Sequence, residues 1–183
     1  MTTHSQGAVE NPRRMLFLYV TLSALMACSA ISTDLYLPGL PSIESQMGGN
    51  IELTITGFLI GFAIAQLIWG PVSDRIGRKI PLMLGMAIFA VGSAGCALAS
   101  TTTELVLWRL VQAVGACVGP MLARAIVRDM YQGVRAAQVL STLVLIMAIA
   151  PIAGPLLGGF LVVSGGWRLT FWAIVTISAI ILL

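Results

Sequence analysis

The charges of this chain are not spread along it. They collect in short connections, and between them run six stretches with no Asp, Glu, Lys or Arg: residues 15–33, 53–73, 80–103, 110–123, 136–167 and 169–183. A helix rises ~1.5 Å per residue, so a hydrocarbon core ~30 Å thick takes about 20 apolar residues to cross. Five of the stretches accommodate a span once their ends are given slack. Charged residues make up 9% of the chain, against roughly 25% in a soluble domain, so there is no polar coat for a water-exposed globule. The pattern predicts an all-α, multi-pass membrane protein with spans near 15–37, 51–69, 80–99, 105–127, 137–163 and 169–183, preceded by a polar tail at 1–14.

The last stretch is short. Fifteen residues follow Arg168 and the chain stops at Ile180-Ile181-Leu182-Leu183; as a helix they reach about 22 Å. A carboxylate and final carbonyls left in hydrocarbon have no partners. The sixth helix is therefore expected to be cut and the chain to be the first part of a longer protein. A short helix tilted up to the interface is the other reading.

Several classes are excluded. The net charge of +3 comes without a basic stripe interleaved with aromatics, so a nucleic-acid partner is not expected. Cys28, Cys96 and Cys117 lie singly in apolar runs without metal-ligand spacing and read as packing residues. The one histidine, His4, is in the polar tail. No nucleophile–base pair, phosphate loop or metal cluster appears, so neither an enzyme nor a metal or other cofactor is expected. Leu25-Met26-Ala27-Cys28 faintly resembles a lipoprotein cleavage box, but the apolar stretch runs past the cysteine and further spans follow.

Orientation follows from the positive-inside rule. A cytoplasmic N-terminus puts Arg13, Arg14, Arg75, Arg78, Lys79, Arg128 and Arg135 on the cytoplasmic side with Arg124 close by, and leaves only Arg168 opposite. Glycine pairs at helical spacing (Gly57 and Gly61, Gly115 and Gly119, Gly154 and Gly158) read as close-packing faces.

Two charges fall inside or beside spans: Asp34 near the end of the first, and Arg109 early in the fourth. Both are costly in hydrocarbon and are expected to face the bundle interior or a water-filled cavity. Asp34 fits either a carboxylate that exchanges a proton or a solvated interfacial residue beyond which helix one ends at Pro38. Arg109 fits either an interior polar role, with Gln112 on the same face at i+3, or a structural pin. Glu44, Glu52 and Glu104 belong to outer connections. In MAIAPIAGPLLGGF, Pro151, Gly154, Pro155, Gly158 and Gly159 make a bend that serves as a hinge or as a packing kink. The stretch GPVSDRIGRKIP packs Asp74, Arg75, Arg78 and Lys79 into a connection. Orientation accounts for its basic residues, whereas Asp74 fits a local salt bridge or a helix cap.

Taken together, these stretches resemble the major facilitator superfamily of secondary transporters. Gly70-Pro71-Val72-Ser73-Asp74-Arg75-Ile76-Gly77-Arg78-Lys79 looks like the family signature between helices two and three, with Val72 where Leu is usual. Arg109-Leu110-Val111-Gln112 with Gly115 resembles its helix-four motif, with Ala113 in place of a glycine. Gly154-Pro155-Leu156-Leu157-Gly158-Gly159 resembles the helix-five motif of drug–proton antiporters. Asp34-Leu35-Tyr36-Leu37-Pro38-Gly39-Leu40-Pro41, with Arg128-Asp129-Met130-Tyr131, is similar to the bicyclomycin and chloramphenicol efflux (Bcr/CflA) branch.

The resemblance implies a six-helix amino-terminal bundle, half of a twelve-helix fold whose carboxy-terminal half is missing here. It implies a drug:proton antiporter in the bacterial inner membrane, exporting small amphipathic drugs. Asp34 would couple protons to substrate with Arg109 as its partner and Gln112 on the same cavity-facing stripe. Gly70, Asp74, Arg75, Gly77, Arg78 and Lys79 would form a cytoplasmic gate, and residues 154–159 the antiporter hinge. A metabolite symporter of the same fold and a non-transporting truncated membrane protein are the competing readings.

Overall fold

The computed structural model describes residues 12–182, and side chains from residue 18 onward. Most of the 1–14 tail, His4 included, lies outside the described residues, as do the side chains of Arg13 and Arg14. The described chain is helical: α1 (Pro12–Asp34), a 3-10 turn (Leu37–Gly39), α2 (Leu40–Met47), α3 (Glu52–Ile76), α4 (Lys79–Leu98), α5 (Thr102–Ala116), α6 (Val118–Met130), α7 (Gly133–Met147), α8 (Ala150–Gly165) and α9 (Trp167–Leu182). Grouped by apolar run, five spans are long enough to cross a bilayer: Leu18–Met47, Glu52–Ile76, Lys79–Leu98, Thr102–Met130 and Gly133–Gly165. Trp167–Leu182 forms a shorter sixth.

Prolines decide where three of these spans break. Each lacks the N–H that would bond the carbonyl four residues back, and its ring crowds that carbonyl. Pro38 leaves the Asp34 carbonyl without its helical donor, and α1 ends there. Pro120 does the same to Ala116, so span four divides at Cys117. Pro151 does it to Met147, and span five divides at residues 148–149. The spans expected at 105–127 and 137–163 carry no such breaks, whereas the expected end of the first, at 37, lies beside Pro38.

The second span corrects the reading in the other direction. GPVSDRI is not a connection: α3 carries Pro71 inside it and continues to Ile76, seven residues past the expected end at 69. The helix stops only at Gly77, whose φ of +84° favours a residue without a Cβ. The true connection to α4 is therefore Gly77-Arg78. At the other end of the bundle, Thr101 caps α5 by accepting the Glu104 N–H at 3.2 Å, and the Glu104 carboxylate accepts Ser100 N–H at 2.8 Å, a reciprocal cap that accounts for Glu104.

In a bilayer, apolar side chains gain little by leaving lipid for protein, so close packing and internal hydrogen bonds must hold the spans together. Glycines provide the close approaches. A Cβ on Gly92 would lie 2.5 Å from the Gln112 nitrogen, and one on Gly115 would strike the backbone of Phe89 and Gly85, so α4 and α5 touch backbone to backbone. Gly119 lies similarly against Leu25, joining α6 to α1. A core of Leu25, Tyr36, Phe58, Phe89, Leu105, Trp167, Phe171 and Ile174 fills the centre. Several buried hydroxyls bond their own helices, as Ser32 to Ser29 O and Ser178 to Ile174 O, whereas the Ser23 hydroxyl on α1 has no hydrogen-bond partner.

Candidate functional site

Arg109 is fully buried. On an insertion scale a central arginine costs about 2.5–3.5 kcal/mol, so its surroundings must offset that. Three rings do part of the work: the guanidinium carbon lies 4.2 Å from the Tyr36 centroid, 4.8 Å from Phe58 and 5.6 Å from Phe171. Cation–π contacts of this kind contribute about 0.5–2 kcal/mol each, so three together are comparable with the insertion cost. Tyr36 is itself held, its hydroxyl 2.7 Å from Thr54 Oγ1, which donates to Ile51 O at 2.6 Å.

Polar contacts are fewer. Arg109 Nη1 donates to Gln112 Oε1 at 2.8 Å and to Ser32 O at 3.4 Å. Gln112 Nε2 in turn donates to Ser93 Oγ at 2.8 Å. Nε and Nη2, the edge whose parallel N–H groups match a carboxylate, have no partner. No ion pair joins Arg109 to Asp34 among the described residues.

Asp34 ends α1 and is partly exposed. It and Leu35 pack on α8: a Cβ at Gly154 would strike the Asp34 side chain, and one at Gly158 the Leu35 carbonyl. The α1 turn thus sits between Arg109, reached through Ser32 and Tyr36, and the Pro151–Gly159 segment. Gly159 has open space around it, and Pro155 lies inside α8.

A second cluster closes the opposite end. Arg78, in the two-residue link, donates from Nη1 to Asp74 Oδ1 at 2.7 Å and to Ser73 Oγ at 2.8 Å, and from Nε to Asp129 Oδ2 at 3.0 Å. One guanidinium therefore ties the ends of α3 and α6 to the start of α4. Its hydrogen bonds to Asp129 and Asp74 hold its pKa above the ordinary arginine value. Beside it opens a cleft of about 430 Å³ whose lining includes Gly70, Ser73, Arg124 and Arg128. Arg75, Gly77 and Lys79 are exposed there and make no ion pair among the described residues. Arg168, at the far end, donates to Ala99 O at 3.1 Å and lies 4.3 Å over the Trp167 ring.

Sequence reasoning missed the three-ring cage, Ser93 and the Arg78–Asp129 pair. The pair joins residues 51 positions apart, and Phe58 and Phe171 look like any apolar residue in a span. Only Ser93, a hydroxyl beside a glycine in an otherwise apolar run, left a trace.

Residues 22–183 match the family described as Major Facilitator Superfamily. The chain belongs to that superfamily, and its spans form a partial bundle of that fold. It is 35% identical over 182 residues to the uncharacterized MFS-type transporter YdgK of Bacillus subtilis (strain 168), covering 96% of this chain and 45% of that one. It is 35% identical over 163 residues to multidrug resistance protein MdtL of Escherichia fergusonii and 34% to that of Escherichia coli (strain K12 / DH10B), covering 87% of this chain and 42% of each relative. The chain thus spans less than half the length of these relatives. Its backbone matches the crystal structure of a bacterial homologue of the human lysosomal transporter Spinster, in an inward-facing and unoccupied conformation. The TM-score is 0.78 at 18% identity, over 95% of this chain and 43% of that one. With five spans of sufficient length and apolarity, it is a multi-pass membrane protein.

Proposed function

We propose that this chain is the amino-terminal bundle of a proton-coupled exporter of small amphipathic drugs, of the Bcr/CflA branch, in a bacterial inner membrane. The observation that carries the reading is the buried Arg109, whose Nη1 reaches Ser32 O on the helix that ends at Asp34 and whose Nε–Nη2 edge has no hydrogen-bond partner. A buried cation with a free bidentate edge is matched by a carboxylate, and Asp34 is the acid on the adjoining turn of α1.

In this mechanism Asp34 alternates between two states. As a carboxylate it is available to a cationic drug or to the Arg109 edge; once protonated it is neutral and lets go of either. Its contact with Gly154 passes the change to the Pro-Gly segment of α8, which bends. A second bundle, supplied by the carboxy-terminal half, completes the cavity, since alternating access needs two bodies moving about a shared site. The Arg78 end is cytoplasmic under the positive-inside rule, and the Arg78–Asp74–Asp129 cluster is its gate. The multidrug name of the MdtL relatives supports the substrate class.

The test uses the complete transporter in proteoliposomes. Addition of an amphipathic cationic drug is expected to drive proton movement in the opposite direction, and Asp34→Asn is expected to abolish it. Drug movement unaffected by Asp34→Asn rejects the coupling residue. Movement of drug and proton in the same direction replaces antiport with symport.

A further inference from the structure

Gln112 can present either end of its side-chain amide to Arg109, and the two ends have the same shape. Only hydrogen-bond polarity separates them: Oε1 accepts, whereas the amide NH2 would set a donor against a donor. The neighbours must therefore fix the orientation. Ser93 on α4 sits beside Gly92, the glycine whose bare Cα lets the Gln112 backbone come close. The Ser93 hydroxyl donates its one proton to Phe89 O at 2.7 Å. With that proton committed, Ser93 Oγ can only accept, and it does so from Gln112 Nε2 at 2.8 Å. The amide is thereby turned so that Oε1 faces Arg109 Nη1, also at 2.8 Å. Cys96 Sγ lies 4.0 Å from the same Oε1 and adds a weak donor to it. Ser93, Gln112 and Arg109 are all fully buried, so water does not compete for these bonds.

We infer that Ser93 is a positioning residue of the transport cycle: through Gln112 it holds the Arg109 guanidinium by Nη1, leaving the Nε–Nη2 edge free for an incoming carboxylate. The chain runs in one direction, Arg109 to Gln112 to Ser93 to Phe89 O, and the longer Arg109 Nη1 bond to Ser32 O, at 3.4 Å, is the one branch from it. Breaking the last side-chain link frees the amide to rotate and loosens the guanidinium within its three rings. The inference rests on the assignment of Arg109 and Asp34 to coupling.

The experiment again takes the complete transporter and reads two quantities. In proteoliposomes, Ser93→Ala is expected to lower proton-coupled drug efflux about three- to ten-fold, the factor a single hydrogen bond commands. Ser93→Cys, which keeps a weaker acceptor, is expected to fall between. Gln112→Met is expected to cause the same loss, and Ser93→Ala combined with Gln112→Met no further loss, because both act on one chain. Multiplying losses overturn the inference, as does full activity of Ser93→Ala.

The second quantity is independent of transport: the nitrogen-15 resonances of the Arg109 side chain, assigned by their disappearance in Arg109→Lys. Ser93→Ala in a sample eluting as a single folded species is expected to shift and broaden them. Unchanged resonances overturn the inference. If Asp34→Asn leaves efflux intact while the Arg109 resonances still respond to Ser93→Ala, the coupling reading fails and the positioning of Arg109 stands.

Discussion

At the scale of the residue, the tightest constraints fall on glycines that carry no chemistry. Gly115 meets the α4 backbone at Phe89 and Gly85, which cannot rotate aside. Overpacking typically costs about 1–3 kcal/mol, and a backbone obstacle puts Gly115→Val at or beyond the upper end. Gly159 belongs to the motif that resembles an antiporter signature, yet has nothing within 4 Å of an added Cβ. Gly159→Ala is expected to stay within about 0.5 kcal/mol of the parent protein. Thermal unfolding in detergent separates the two, and a Gly115→Val variant as stable as the parent would show that α4 and α5 are not in backbone contact. The spacing of Gly115 and Gly119 in the sequence identified a packing face; it could not say that Gly115 packs against α4 and Gly119 against α1.

At the scale of the element, Arg78 joins three helix ends through two carboxylates that remain more than half exposed. Exposed pairs contribute about 0–1 kcal/mol each, too little to fix the fold. As the proposed gate, they would instead choose between arrangements of the helix ends. Asp74→Asn is accordingly expected to leave membrane insertion and the unfolding temperature near those of the parent, while slowing drug efflux by the complete transporter. Undiminished efflux would reduce the cluster to surface charge. The signature stretch was legible as polar and basic, but its helical state was not. Its clustered charge suggested a connection, and α3 instead carries Pro71 inside the helix and ends on Gly77. The breaks at Cys117 and at residues 148–149 were foreshadowed by Pro120 and Pro151, which starve specific carbonyls of donors.

At the scale of the whole molecule, spans four and three are the most enclosed, and spans two and five the least. Large apolar side chains such as Leu67, Leu145, Leu156 and Val163 stand exposed on those outer spans, as suits a surface that meets lipid or other apolar helices rather than water. The cysteines report on this arrangement. Cys96 and Cys117 have no accessible surface and Cys28 only 6%, and burial pins each in the bundle. A maleimide is expected to leave all three unmodified in the folded protein and to label all three once it is denatured, as read by intact mass. Rapid labelling of Cys96 in the folded protein would contradict the close meeting of α4 and α5.

What the sequence determined by itself was the class of object. Segregated charge marked the chain as a multi-pass helical membrane protein, because a helix must satisfy its own backbone in lipid and charge is excluded from hydrocarbon. The same logic marked Asp34 and Arg109 as residues needing an explanation. What only the tertiary structure decided was what stands beside them: Tyr36, Phe58 and Phe171 around Arg109, Ser93 behind Gln112, Gly154 against Asp34, and Asp129 on Arg78. Most of these partners are far apart in the chain and chemically ordinary. Periodicity shows which face of a helix is buried, whereas the partner of that face is set by how helices cross, and that depends on glycine contacts and proline breaks summed over the whole bundle.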